Sequence, residues 1–226
     1  MTLSALKPRA ETELDRFALD PYCKLYLPLW KLDGDSFMSK DAYGHLCTNH
    51  GSLWIPRGRS FDGVDDYVQM PYSESLNPAE FSVEAWAKVT GRQGAFRSVI
   101  TSRDDKPQRG YIIYAGSNNK WQFWVGDGSG WKIITASAIV LDSWAHLVAV
   151  YSGGSLKFYV DDTLYGPTSA TLSLNTARPL RIGAGVTEAA PDFYFPGLIG
   201  EVRIYNRVLT PQEILDHYII GKEMFG

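Results

Sequence analysis

The sequence predicts an all-β chain folded as a two-sheet antiparallel jelly-roll sandwich. The prediction rests on an apolar period of two from Cys23 onward, turn signals at each break in that period, and an aromatic content of 13%. Leu25, Leu27 and Leu29 alternate with other residues. So do Phe81, Val83, Ala85, Ala87 and Val89, then Trp121, Phe123 and Val125, then Leu156, Phe158 and Val160. Alternation of this kind marks half-buried antiparallel strands, with one side chain in two facing the core. Asp62-Gly63, Gly126-Asp127-Gly128-Ser129-Gly130, Gly153-Gly154 and Asp161-Asp162 supply the turns between them. On this phase Phe61, Val83, Phe123, Val148, Phe158, Ile182 and Ile204 share the interior between the sheets. A chain of 226 residues suits one large sandwich.

Both ends depart from the strand pattern. Ala10, Leu14, Phe17 and Ala18 fall at i, i+4, i+7 and i+8, which predicts a short amphipathic helix over Pro8 to Leu19, ended by Asp20-Pro21. Residues 1–20 therefore read as an arm and residues 21–226 as the jelly-roll domain. The arm has two possible berths, its own sandwich or a neighbouring subunit of a larger assembly. At the other end Thr210-Pro211-Gln212-Glu213 forms a capping box with proline at the first helical position, predicting a helix over 211–219.

Charge narrows the partners. The formal net charge of −3 provides no basic face for nucleic acid. No segment is long and apolar enough to cross a bilayer, and Met1 to Ala10 lack the apolar run of a secretory signal. The expected location is extracellular or on the surface of a particle such as a virion, reached by another export route or by lysis. The two cysteines, Cys23 and Cys47, show no metal-site spacing, and both a disulfide and two buried thiols remain open.

Alternation also says which aromatic residues leave the interior. If Phe81, Val83 and Ala85 point inward, Glu84, Trp86 and Lys88 occupy the opposite face; by the same count Gln122 and Trp124 oppose Trp121 and Phe123. Pyranose C–H faces stack on flat rings while amides and carboxylates bond the hydroxyls, so such a face suits a sugar. The candidate carbohydrate-binding residues are Tyr111, Tyr114, Gln122, Trp124 and Trp131. The competing reading covers the second face, which would make Trp86 in particular a secondary core residue.

Several stretches in order carry a family resemblance over roughly residues 22 to 218. They are Ser60-Phe61-Asp62-Gly63-Val64-Asp65-Asp66-Tyr67-Val68, Phe81 to Lys88, Ser143 to Tyr151, Pro179-Leu180-Arg181-Ile182-Gly183, and Gly197-Leu198-Ile199-Gly200-Glu201-Val202-Arg203-Ile204-Tyr205-Asn206-Arg207. Together they resemble the signature of laminin G-like domains of the concanavalin A-like lectin and glucanase superfamily. The resemblance implies a structural calcium near the acidic turn, held by Asp62, Gly63 and Asp66 with help from the loop around Asp41 and Gly44 and from Glu201. Gly200 stands where relatives more often carry an aspartate, so one ligand would be missing. The alternative is that these aspartates only bond local backbone amides.

Catalysis finds little support in the residues. A glycosidase on this fold needs paired carboxylates, and no Glu-x-Asp-x-Glu triplet occurs. His146 lies inside the apolar run Trp144 to Tyr151 and reads as a hydrogen-bonded structural histidine, while His45 and His50 show no zinc spacing. The expected function is a non-catalytic module that recognises cell-surface or envelope carbohydrate, as part of a virion or phage particle. The alternatives are a structural or decorating subunit and, less favoured, a glycoside hydrolase.

Overall fold

In a computed structural model, which describes Leu14, Arg16, Phe17 and residues 20–226, the alternating segments become strands of two antiparallel sheets. The first sheet runs β14 (Thr163–Ser169), β13 (Ser155–Val160), β12 (Trp144–Ser152), β7 (Phe81–Val89), β16 (Pro196–Tyr205), β5 (Gly58–Asp62) and β4 (Leu53–Ile55). Strand β16 is long enough to serve two neighbours on one side. Its first half pairs with β5, and its second half pairs with β1 (Cys23–Pro28). The second sheet runs β11 (Trp131–Ala138), β10 (Lys120–Gly126), β9 (Gln108–Ala115), β8 (Arg97–Asp105), β15 (Leu180–Ile182), β6 (Tyr67–Met70), β3 (Leu46–His50) and β2 (Ser36–Met38).

The inward phase behaves as the alternation requires. Leu25, Leu27, Phe61, Val83, Phe123, Phe158, Ile182 and Ile204 all belong to the cluster between the sheets. Val148 does not. It packs with Cys23, Tyr26, Tyr205 and Ile214 on the outer face of the first sheet. The reason is that β12 is apolar on both phases, so periodicity cannot say which phase points inward; Leu147, Ala149 and Tyr151 take the interior instead.

That outer face is a second core, closed by helix α1 (Pro211–Phe225). The capping box forms as expected: Thr210 Oγ1 accepts from Glu213 N, and Glu213 Oε2 accepts from Thr210 N. The helix runs six residues beyond the predicted end at 219, because its last turn is held by packing and not by sequence signals: Phe225 is 1% exposed against Trp86 and Trp144. Gly221 permits the approach, since a Cβ there would meet Trp86 Nε1 at 2.4 Å.

Most of the arm lies outside the described residues. Its described members Leu14, Arg16 and Phe17 are helical, and Leu14 is fully buried with Trp30, Trp86 and Phe225 of the same chain. Arg203 Nη2 donates to Leu14 O at 3.1 Å, and the Phe17 ring lies 3.8 Å from that of His217. These residues of the apolar stripe dock at home, the first of the two berths. Both cysteines are free and buried, in different clusters, and burial pushes each thiol up to about 12.

Candidate functional site

On the second sheet the outward phase of β10 sends Gln122 and Trp124 to the same face. Across the ladder Gln122 pairs with Tyr114 of β9 and with Thr135 of β11, while Trp124 pairs with Ile133 and Gly126 with Trp131. The outcome is an aromatic platform at the β10–β11 edge. Trp124 and Trp131 are each partly exposed with ring centroids 6.1 Å apart, and Ile133 beside them is 40% exposed. Trp124 Nε1 donates to Gln122 Oε1 at 3.0 Å, which fixes the indole and leaves the Gln122 amide nitrogen without a partner among the described residues.

Beneath the exposed rings lies a packed layer. Tyr114 meets Trp124 edge-on at 5.4 Å, and Phe96 meets both. The return loop before β16 lays Phe193 against Tyr114 and Phe96. Arg103 of β8 is held by Glu188 through Nε at 3.1 Å and Nη2 at 2.6 Å, with its guanidinium 5.8 Å from the Trp131 ring. Burial disfavours the Arg103 charge, but the two-point bond to Glu188 outweighs it and raises the pKa further. The arrangement is a fixed indole beside a second partly open ring, suited to a ligand with an apolar face.

Of the five residues read as carbohydrate-binding, Trp124 and Trp131 form this surface, and Gln122, itself buried, fixes the Trp124 indole at its edge. Tyr114 shares the face but is 2% exposed, so it supports the rings from below. Tyr111 is a correction: it is odd-phase on β9, points into the interior and donates its hydroxyl to Leu76 O at 2.8 Å. Phe96, Arg103, Ile133, Glu188 and Phe193 were not foreseen. A β-bulge between Ser98 and Ile100 breaks the alternation of β8 ahead of Arg103, and the loop carrying Glu188 and Phe193 has no periodicity at all.

The implied calcium set does not come together. Asp62, Asp65 and Asp66 do bring carboxylate oxygens within 4.8 Å of one another. Yet Asp62 Oδ1 accepts from Val64 N at 2.7 Å, Asp66 Oδ2 accepts from Asp62 N at 2.9 Å, and the Gly63 carbonyl accepts from Arg92. Asp41 spends both oxygens on Tyr26, Tyr43 and Gly44 amides in another loop. Glu201 sits five residues past Pro196, the partner of Asp62, hence roughly 16 Å along β16. It is buried against Arg203 at 2.5 Å, in a cluster with Glu84, His146 and His217. Calcium needs roughly six to eight oxygens in one cage, and these residues as a set do not fit that need.

A two-sheet sandwich with an aromatic edge platform is a lectin-like architecture. The chain belongs to the concanavalin A-like lectin/glucanases superfamily, with residues 62–215 matching its laminin G family model. It is also similar, at 31% identity over 86 residues, to a stretch of adhesion G-protein coupled receptor V1 from Danio rerio; this covers 35% of the chain and 1% of that protein. Among solved structures, Trypanosoma rangeli sialidase in complex with sialic acid superposes with a TM-score of 0.70 at 17% identity, over 96% of this chain and 38% of that one. The binding domain of botulinum neurotoxin serotype D superposes with a TM-score of 0.68 at 12% identity, over 88% of this chain and 51% of that one. These likenesses concern the fold, and the chain spans only a part of each of those proteins. No helix among the described residues is long and apolar enough to cross a membrane.

Proposed function

We propose that this chain is a non-catalytic carbohydrate-binding module of an extracellular or particle surface, a virion or phage particle among them, and that Trp124, Trp131 and Gln122 hold the sugar. The observation that carries the reading is the Trp124 indole, fixed by Gln122 and left partly open beside Trp131. A ring immobilised before binding loses little entropy when a pyranose stacks on it. Glu188, the carboxylate of this layer, is engaged at two points by Arg103, which favours binding over acid–base chemistry.

Retention on immobilised neutral polysaccharides of bacterial and animal-cell surfaces tests the reading. Trp131→Ala and Trp124→Ala are each expected to abolish retention while the chain still melts cooperatively. Unchanged retention in both variants would remove the platform, and the absence of any binding on a broad glycan array would leave a structural subunit as the better reading.

A further inference from the structure

A second cleft, of about 380 Å³, opens on the opposite sheet, between the ends of β7 and β12 and helix α1. Its walls are aromatic. Trp144 and Trp86 both lie 5.0 Å from the Phe225 ring, and Tyr218 stacks on Trp86 at 6.0 Å and 9°. Trp86 and Phe225 are buried, whereas Trp144 and Tyr218 are partly open and offer ring surface to the cleft. The Trp144 Nε1–H is shielded from solvent and has no acceptor among the described residues.

Cations converge on this mouth from separate elements: Arg57 from the turn between β4 and β5, Lys88 from β7 and Lys222 from α1. None of them forms an ion pair among the described residues; Lys88 lies instead over the Trp144 ring at 5.5 Å and Lys222 over the Tyr218 ring at 5.4 Å. Asp142 and Asp161 complete the lining. Asp161 Oδ1 accepts from His146 N at 3.0 Å.

We propose that this cleft binds an acidic saccharide, a sugar ring bearing a carboxylate or sulfate. The ring lies along the Trp144 and Tyr218 faces, the acidic group meets Lys88, Lys222 and Arg57, and the hydroxyls reach Asp142 and Asp161. Unpaired ammonium groups beside rings provide the charge that a neutral sugar does not need, and that sets this site apart from the Trp124 platform. The two sites occupy opposite faces of the sandwich, so this inference stands independently of the platform.

The test uses the whole chain and a sulfated, uronate-containing disaccharide of the heparin type, with lactose as the neutral control. The Trp144 indole N–H resonance, assigned through Trp144→Phe, is expected to shift with the sulfated disaccharide and not with lactose. Lys88→Ala combined with Lys222→Ala is expected to weaken that binding about tenfold or more while the chain still melts cooperatively. Trp124→Ala, on the other sheet, is expected to leave it intact. An unmoved Trp144 resonance, an equal response to lactose, full affinity in the double lysine variant, or loss of binding in Trp124→Ala would each overturn the proposal.

Discussion

Arg203 Nη1 lies 3.0 Å from Glu84 Oε1 across neighbouring strands β16 and β7, and neither side chain reaches solvent. The pair is the centre of a larger set. Glu84 also meets His146 Nε2 and His217 Nδ1, each at 2.8 Å, so one carboxylate ties β7, β12, β16 and α1 together. Burial alone would raise the Glu84 pKa, but His217, Arg203 and His146 together hold it well below the usual carboxylate range. Arg203 in turn reaches Glu201 and Leu14 O.

Removing the cation from this set leaves buried carboxylates uncompensated. Arg203→Met is expected to cost about 3 to 5 kcal/mol in denaturant unfolding. A loss below about 1 kcal/mol would mean that water or a rearranged histidine replaces the guanidinium.

Glu201 gives the cluster a pH dependence of a particular sign. Burial raises its pKa from 4.5 to about 7 in spite of Arg203. The protonated carboxyl is thus favoured by folding; the stability it contributes is complete below 4.5 and is lost as the pH climbs through about 7. Glu84 has the opposite sign, stabilising above the ordinary carboxylate value and failing as the pH falls through its depressed one. Glu201→Gln should therefore stabilise the chain more at about pH 8 than at about pH 5. Urea unfolding at both values checks this, and an equal effect at the two would contradict it.

The arm is expected to act within the chain. Deleting residues 1–20 strips Leu14 from Trp30, Trp86 and Phe225 and leaves Arg203 without the Leu14 carbonyl. The expected result is a lower melting temperature with the same oligomeric state by light scattering. A change in oligomeric state with no loss of melting temperature would place the arm on a neighbour.

Calcium is expected to leave the melt unaltered relative to a chelator. A ligand bound only to the folded chain stabilises it by mass action, but Asp62 and Asp66 already serve backbone amides, and Asp41 and Glu201 lie elsewhere. A chelator-sensitive melt that disappears in Asp65→Asn would restore a metal at this turn.

Much of the platform was legible in the sequence, because two residues two apart on one strand, Gln122 and Trp124, must share a face. Trp131 could be placed near them from the short turn that joins β10 to β11. Tyr111 and Tyr114 show the limit of that reasoning: three residues apart, they face opposite ways, and grouping them by proximity along the chain mixed a core residue with a supporting one. The calcium set failed for a related reason. Resemblance named the donors, but Glu201 belongs to the far half of a ten-residue strand whose near half meets Asp62.

The sequence by itself determined the strands that alternate clearly, such as β1, β7, β10 and β13, their inward phase where the opposite phase is polar, and the start of helix α1 through its capping box. These are local properties, set by side-chain alternation and by bonds within a few residues. Only the tertiary structure decided what covers each outward face. On the first sheet, α1, Leu14 and Phe17 enclose Glu84, Trp86, His146 and Arg203 as a second core; on the second, Trp124 and Trp131 remain partly open. An alternating pattern separates two faces but carries no record of which is buried, because burial depends on segments more than a hundred residues apart along the chain, as when His217 of α1 closes over Glu84 of β7.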